Sequence, residues 1–416
     1  MKLLHTADLH IGKRLHQIDL VEDHRMFFAW LVEFIRTEGV EAVLVSGDVF
    51  DLAHPSAEAR QTYYQLLAAL CRMRVQVILT GGNHDSPGML HAPQELLSML
   101  DIRVVGSLPE RWEEVVVPLG RHGAVGTPSW VVAAVPFLRD SDWVGLAAGQ
   151  STEDRLALIR EGVRSVYRGL GEQVAAAYPG IPAIAMGHLF AQGSQGSDSE
   201  REIQVGNLAG IEATAFGPHW DYVALGHIHR PQQVGSDQVR YSGSPLPLSF
   251  SEHEDPKQVL VLEADAGGRV HAVSHAVPVF RRLLRIEGDL PQLQHHLAHL
   301  PPPGPLPSLI ELTWLTQSDA PGEDLAFENM IREFNDQRQD ARIVKSFIRR
   351  EGIRLPASHF LPNAEVDRLQ PSEVLQALFE SQSIPADEQS ELRAAFQMLL
   401  DALQQEQTGP QVADQP

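Results

Sequence analysis

The apolar run 75–79 stops at Gly81-Gly82 and delivers an amide, an imidazole and a carboxylate in succession, Asn83, His84 and Asp85. Such a run reads as a buried strand emptying polar groups into a crevice at its carboxyl end. Four other apolar runs end the same way. Residues 3–6 lead to Asp8 and His10, 42–45 to Asp48, 181–186 to His188, and 222–225 to His227 and His229. Each alone is a weak signal, because an Asp-x-His or a Gly-His past a strand is commonly a turn or surface feature. Together, under a purely structural account, they would be five unrelated coincidences at equivalent places. The chain is therefore held to folds that gather five strand ends in one place.

Helical patterns alternate with these runs. Phe27, Phe28, Leu31, Phe34 and Ile35 recur at three to four residues within 21–38. Pro55 and Ser56 open a second helix that runs to Arg74, and Ser151 with Asp154 makes a capping-box start for a third that reaches Ala177. Further strands are expected at 102–105, 115–117, 131–137 and 258–263, and the polar segment 191–200 reads as mobile surface. After Pro278 a small separate α/β unit is expected, with strands at 283–287, 309–315 and 342–348 and helices at 292–299 and 325–334. Two helical segments, 372–380 and 387–403, flank Ile384-Pro385 and carry apolar stripes, and 404–416 reads as a disordered polar tail. The expected boundaries are 1–279, 280–357, 358–403 and 404–416.

A chain of 416 residues has room for two to three domains of roughly 150 residues each. No apolar run reaches the ~18 residues of a membrane helix, and the chain enters residues 3–6 without a signal-peptide pattern, so no membrane association and a cytoplasmic location are expected. The single cysteine, Cys71, fits a reducing compartment and reads as a small core residue. The net charge of −21 taken alone argues against nucleic-acid binding. Its distribution softens that objection, since 371–416 holds eight acidic residues and one basic residue, Arg393. Carboxylates that ligate divalent cations are also neutralised once the metal is bound.

Imidazole, carboxylate and amide oxygen without thiolate form a borderline-to-hard ligand set suited to manganese, iron or zinc. Seven such side chains are too many for one catalytic ion that keeps open positions. They fit two ions about 3.5–4 Å apart that share a carboxylate, with Asp48 as the bridge.

Asp8-x-His10, Gly47-Asp48, Gly82-Asn83-His84-Asp85, Gly187-His188 and Gly226-His227-x-His229, in this order, resemble the calcineurin-like metallophosphoesterases. Within these the chain resembles the SbcD family of bacterial nuclease subunits. That narrower likeness rests on residues 4–10 (LHTADLH), 46–51 (SGDVFD), 222–229 (YVALGHIH), 241–245 (YSGSP) and the small downstream domain. It is close over 1–280 and looser beyond. The resemblance implies an α/β fold, a four-layer αββα sandwich with a capping domain and a C-terminal helix pair. It implies one ion, manganese by preference, held by Asp8, His10 and His229, a second held by Asn83, His188 and His227, and Asp48 between them. His84 would face the scissile phosphate rather than a metal, with Asp51 and Asp85 in support. Asp85 reads equally as an orienter of His84 and as a turn residue.

The family's activities would follow: exonuclease action on double strands and endonuclease action on single strands, at DNA ends and hairpins, in repair, recombination and replication. The partners would be DNA, the ATPase SbcC docked on the helix pair, and a second copy of the chain. Lys345, Arg349 and Arg350, with Arg281, Arg282 and Arg285, would meet DNA phosphates from the capping domain, or form an ordinary solvated face. Two other functions stay open on the residues alone, a small-nucleotide phosphodiesterase and a scaffold for the ATPase with vestigial chemistry. The roughly 130 residues beyond the core speak against the first. The full ligand set speaks against the second.

Overall fold

The computed structural model describes residues 1–120, 127–139, 151–196, 200, 210–317 and 321–350, together with 375, 379, 389, 392, 393 and 396. The chain begins with β1 (Lys2–Thr6), a hairpin of β2 (Arg14–Leu15) and β3 (Ile18–Asp19), α1 (Val21–Glu38), β4 (Val40–Ser46), α2 (Ala57–Arg72) and β5 (Gln76–Thr80). Two short helices, α3 (Pro87–His91) and α4 (Gln94–Ser98), lead to β6 (Ile102–Val105), β7 (Val116–Leu119) and β8 (Trp130–Ala133). Next come α5 (Thr152–Ala177), β9 (Ala183–His188), β10 (Tyr222–Gly226), β11 (Gln232–Val234), β12 (Ser236–Tyr241), β13 (Gln258–Ala264) and β14 (Val270–Ala276). The series closes with β15 (Leu283–Gly288), α6 (Leu290–Ala298), β16 (Ser308–Thr316), α7 (Pro321–Gln337) and β17 (Ala341–Arg350).

Two six-stranded sheets form the body. One has the order β14-β13-β1-β4-β5-β6, with β1, β4, β5 and β6 parallel and β13 antiparallel to β1. The other has the order β11-β12-β10-β9-β8-β7, with β8, β9, β10 and β12 parallel and antiparallel edges at β7 and β11. Alternation along the strands builds the layers. Leu3, Leu44 and Ile78 turn into the core between the sheets, while Leu4, Val43, Val45, Val77 and Leu79 pack with Phe27, Leu31, Leu66 and Leu70 of α1 and α2. Val163, Val166, Tyr167 and Leu170 of α5 join the core on the far side of the second sheet. The result is the expected helix–sheet–sheet–helix sandwich, and its central strands read as continuous apolar runs because both of their faces are buried.

Helix starts follow their caps. Ser56 Oγ accepts from Ala59 N, and Ser151 with Asp154 closes a reciprocal capping box. Where β4 and β10 end, the two sheets touch. Ser46 Oγ donates to the Ala224 carbonyl at 2.9 Å, and a Cβ on Gly226 would overlap the Ser46 carbonyl oxygen. Glycine at 226 thus lets the carboxyl ends of two strands from different sheets meet, with Asp48 just past one and His227 just past the other.

In the segment 191–200, expected as mobile surface, Gln192, Gly193, Gln195 and Gly196 are exposed, and the departure is at Ala191. Ala191 is fully buried, and its N–H donates to the Tyr241 hydroxyl at 2.8 Å, which itself donates to the Leu189 carbonyl at 2.7 Å. Strand 131–137 ends four residues earlier than expected, at Ala133.

Beyond the body, β15, β16 and β17 form a three-stranded sheet in which β15 and β16 run parallel. Trp314 of β16 packs on Phe327 of α7, ring centres 5.3 Å apart. Leu283 and Leu309 join Leu15, Leu20 and Phe250 in a small apolar cluster. Most of the expected helix pair, 372–380 and 387–403, lies outside the described residues, as does 404–416. Within that region the described positions are helical, and the Arg393 guanidinium lies 5.3 Å from the Phe379 ring centre. No helix of the described residues is long and apolar enough to cross a membrane.

Candidate metal centre

Every strand end singled out by the sequence opens on the same spot. Asp8 and His10 follow β1, Asp48 follows β4, Asn83 and His84 follow β5, His188 closes β9, and His227 and His229 follow β10. Three triads have ligand atoms within 4.8 Å of one another: Asp8, His10 and His229; His10, Asp48 and His84; Asp8, Asp48 and His188. Asn83 Oδ1 lies 2.8 Å from His188 Nε2. Apart from the partly buried Asn83, all are nearly excluded from solvent.

The backbone is bent to make this possible. Among the described residues seven non-glycine positions have positive φ, and four are in the cluster: Asp8 at 53°, His10 at 44°, Asp48 at 43° and His227 at 100°. Each such residue costs about 1–3 kcal/mol and persists only where its surroundings over-determine it. Here the surroundings are hydrogen bonds between ligand loops. Asp8 N donates to the Gly47 carbonyl, His10 N to the Asp48 carbonyl, His227 N to Asp8 Oδ1 and His84 N to Asp48 Oδ1, at 3.2, 3.0, 2.8 and 2.9 Å.

Acceptors behind the rings fix which ring nitrogen faces inward. His10 Nδ1 meets Asp51 Oδ1 at 3.2 Å, and His229 Nδ1 meets Glu252 Oε1 at the same distance. His188 Nδ1 meets the Ser46 carbonyl at 3.2 Å and His84 Nδ1 the Asp51 carbonyl at 2.7 Å. All four partners accept only, so each ring carries its proton on Nδ1 and turns Nε2 to the cluster. As a result His10 Nε2 and His229 Nε2 face one another at 3.2 Å, a contact that needs a proton or a cation between the two nitrogens. Asp8 Oδ2 and His227 Nε2 are buried without a hydrogen-bond partner. The donor set and these orphaned acceptors fit bound cations.

Without a cation, protons have to do part of that work. Burial pushes the Asp8 carboxyl up to about 7, despite the opposing pull of His188 and His229. Burial works against the charge on His188, but the carboxylates of Asp48 and Asp8 outweigh it and push its pKa up to about 9. His10 goes the other way, down to about 4, because burial outweighs the pull of Asp51 and Asp48. Asp48 is buried as well, yet the histidines around it hold its carboxyl well below the usual carboxylate range.

Of the two supporting carboxylates Asp51 backs the rings, and of the two readings of Asp85 it is the backbone-capping one that its contacts match. Asp51 touches both His10, through Oδ1, and His84, through its carbonyl, while Lys13 pairs with it at 3.1 Å. Asp85 does not orient the His84 ring. Its carboxylate is taken up by three backbone amides, Val49 N, Phe50 N and Gly82 N, at 3.0, 3.0 and 2.9 Å, which ties the β4 loop to the β5 loop. Asp85→Ala would bury three unpaired N–H groups, and an expected loss of at least about 3 kcal/mol follows from their desolvation. Urea unfolding of the metal-free variant and parent proteins measures it.

Three partners of the cluster escape a sequence reading: Lys13, Glu252 and Lys257. Glu252 is 1% exposed and accepts from Lys257 Nζ at 2.6 Å as well as from His229. One acid and two bases in polar loops carry no periodic signal, so nothing along the chain marks them. The segment 241–245 does leave a signal, and its use is now visible. Tyr241 anchors the stretch after His188, and Ser244 N donates to the His229 carbonyl at 3.1 Å.

Most of the cations expected to meet DNA are engaged within the fold. Lys345 and Arg285 share the buried Glu311 at 2.9 and 2.8 Å, Arg281 takes both oxygens of Asp23, and Arg282 Nε donates to the Pro302 carbonyl. Arg349 and Arg350 close β17.

A family model for calcineurin-like phosphoesterases matches residues 1–231, the stretch that carries every cluster residue. The D subunit of the nuclease SbcCD from Rhodobacter capsulatus is 36% identical over 304 residues, covering 70% of this chain and 74% of that protein. The protein of the same name from Escherichia coli K12 is 34% identical over 307 residues (71% and 73%), and that from Bacillus subtilis 31% over 272 residues (64% and 67%). A sandwich whose strand ends gather this His/Asp/Asn set, together with these likenesses over most of both chains, leads to one conclusion: the chain belongs to the calcineurin-like phosphoesterases, in the SbcD family of nuclease subunits.

Proposed function

We propose that the chain is a metal-dependent DNA nuclease subunit that hydrolyses phosphodiester bonds at a two-ion centre and works with the ATPase SbcC. The observation that carries this reading is the facing pair of His10 and His229 Nε2 atoms, 3.2 Å apart, inside a buried cluster with unpartnered acceptors on Asp8 and His227. In this reading Asp8, His10 and His229 hold one ion, Asn83, His188 and His227 the other, and Asp48 lies between them, with manganese the expected metal. Bound there, such ions activate water and neutralise charge on the phosphoryl oxygens. The protein's own part is to hold those ligands in strained loops and to offer His84. Its Nδ1 proton is fixed on the Asp51 carbonyl, which leaves Nε2, 4.0 Å from Asp48 Oδ2, to carry a proton to the leaving oxygen.

The capping role of 280–357 and the docking of 358–403 on SbcC are part of the same proposal. Lys345, Arg349 and Arg350 are its DNA contacts, with Lys345 exchanging its Glu311 partner for phosphate. A homodimer through the body is supported by the exposed Leu96, Met99 and Leu100, with Met99 82% exposed. The location is cytoplasmic, in keeping with a single cysteine. Incubation with manganese and linear duplex DNA, with and without SbcC, tests the reading. Shortening of the duplex is the expected result; hydrolysis confined to small nucleotide esters would replace it with the small-substrate function, and no hydrolysis of either would leave only a scaffold.

A further inference from the structure

Among the groups behind the ligand candidates, Glu252 has the densest set of bonds. Oε1 faces His229 Nδ1 at 3.2 Å and Ser249 Oγ at 3.4 Å. Oε2 accepts from Lys257 Nζ at 2.6 Å, Leu248 N at 3.2 Å and Ser244 Oγ at 3.3 Å. Lys257 Nζ reaches on to Ser244 Oγ at 2.9 Å and to the His229 carbonyl at 3.3 Å. Both members of the pair are nearly buried, with side chains 0% and 8% exposed. A buried ion pair is costly relative to an apolar one, so its presence behind a ligand candidate calls for a use.

We propose that Glu252 is a positioning residue for the ion between Asp8, His10 and His229: it accepts the Nδ1 proton of His229 and so keeps Nε2 bare toward the cation. This rests on the two-ion reading above. Asp51 makes the same contact with His10, so each of the two rings that face one another has its own carboxylate behind it. Lys257 balances the charge of Glu252 from the far side.

Glu252→Gln separates this role from a merely structural one. Lys257 Nζ and Leu248 N both donate to the Oε2 position, so the amide oxygen settles there and the NH2 group turns to His229 Nδ1. The ring then takes the opposite tautomer, with its proton on the nitrogen that should bind metal. Manganese titration calorimetry is expected to show one of two ions bound about 10–100-fold more weakly and the other unchanged. Nitrogen-15 spectra of the metal-free proteins, taken at a pH high enough that the His229 ring is neutral in both and with its signals assigned by their loss in His229→Gln, should move from an Nδ1–H to an Nε2–H pattern. Lys257→Arg disturbs the same buried pair from the other side but keeps both charges and so the carboxylate on His229; it is expected to retain the Nδ1–H pattern and near-parental metal affinity whatever it does to stability. Equal losses of metal affinity in both variants, or parental affinity in Glu252→Gln, would overturn the proposal. An Nε2–H pattern in the parent protein would do so without any variant. A parent that binds no manganese would instead remove the two-ion reading on which the proposal stands.

Discussion

His84→Ala is expected to keep both ions and to lower the rate of DNA hydrolysis by about a thousandfold, in the range typical for loss of a positioned acid. The geometry separates the two effects. Asp48 Oδ1 is held by the backbone N–H of residue 84 at 2.9 Å, and alanine keeps that N–H. What disappears is the imidazole, whose Nδ1 proton is fixed on Asp51 and whose ring packs edge-on against His10 with centres 4.7 Å apart. The leaving group supplies a sharper test than the rate alone. A DNA 3′ or 5′ oxygen needs a proton as it departs, whereas a nitrophenolate does not. The variant should therefore lose no more than about tenfold on a bis-nitrophenyl phosphate while losing about a thousandfold on DNA. His84 also forms a triad with His10 and Asp48 within ligand distance. If it were a ligand, elemental analysis would find the variant short of metal, and the loss would be equal on both substrates.

The parts of this site that lie along one strand end were legible in the sequence, and the parts that lie across the fold were not. Runs such as 42–45 and 222–225 announce buried parallel strands because both faces are covered, and the polar residues after them stand out against that background. The outer strands β11, β12 and β14 carry no such contrast. β14 alternates partly buried and exposed residues, and in Val-His-Ala-Val-Ser-His-Ala neither face is strongly apolar. Charge was legible only as a count. Arg281 reads as a cation open to DNA until its partner Asp23, 258 positions away, is seen to take both ends of its guanidinium. Glu252 carries no mark in the sequence, and only the fold sets it behind His229. In each case the missing information is a pairing between distant segments, and no local propensity encodes it. Asp85 shows the same limit at short range. Its place beside His84 suggests either a ring contact or a turn role, and the choice is made by amides from the crossing between two loops, two of them from a segment more than 30 positions away.

Asp48→Ala should abolish metal binding and hydrolysis together, and should take away the stability that the parent gains from the metal. Asp48 appears in two of the three triads, and Oδ2 lies 3.4 Å from both His10 Nε2 and His188 Nε2, which makes it the expected bridge between the two halves of the cluster. In the metal-free state its charge has mixed effects. It attracts the surrounding imidazoles, and it also adds to the burial that raises Asp8 and Asp85, the latter up to about 6. Removing it relieves that repulsion but also takes away the attraction of His188, His10 and His84 and the hydrogen bond from His84 N, so the metal-free variant is expected to melt below the metal-free parent. Each protein is therefore compared with its own metal-free melting temperature. Adding manganese separates them further, because an ion present at a thousandfold over its dissociation constant stabilises the folded state by about 4 kcal/mol, a gain the parent shows and the variant does not. Paired melting scans with and without manganese make the comparison. A variant that still gains stability from the metal would mean that Asp8 and the histidines hold it alone, and that Asp48 is no bridge.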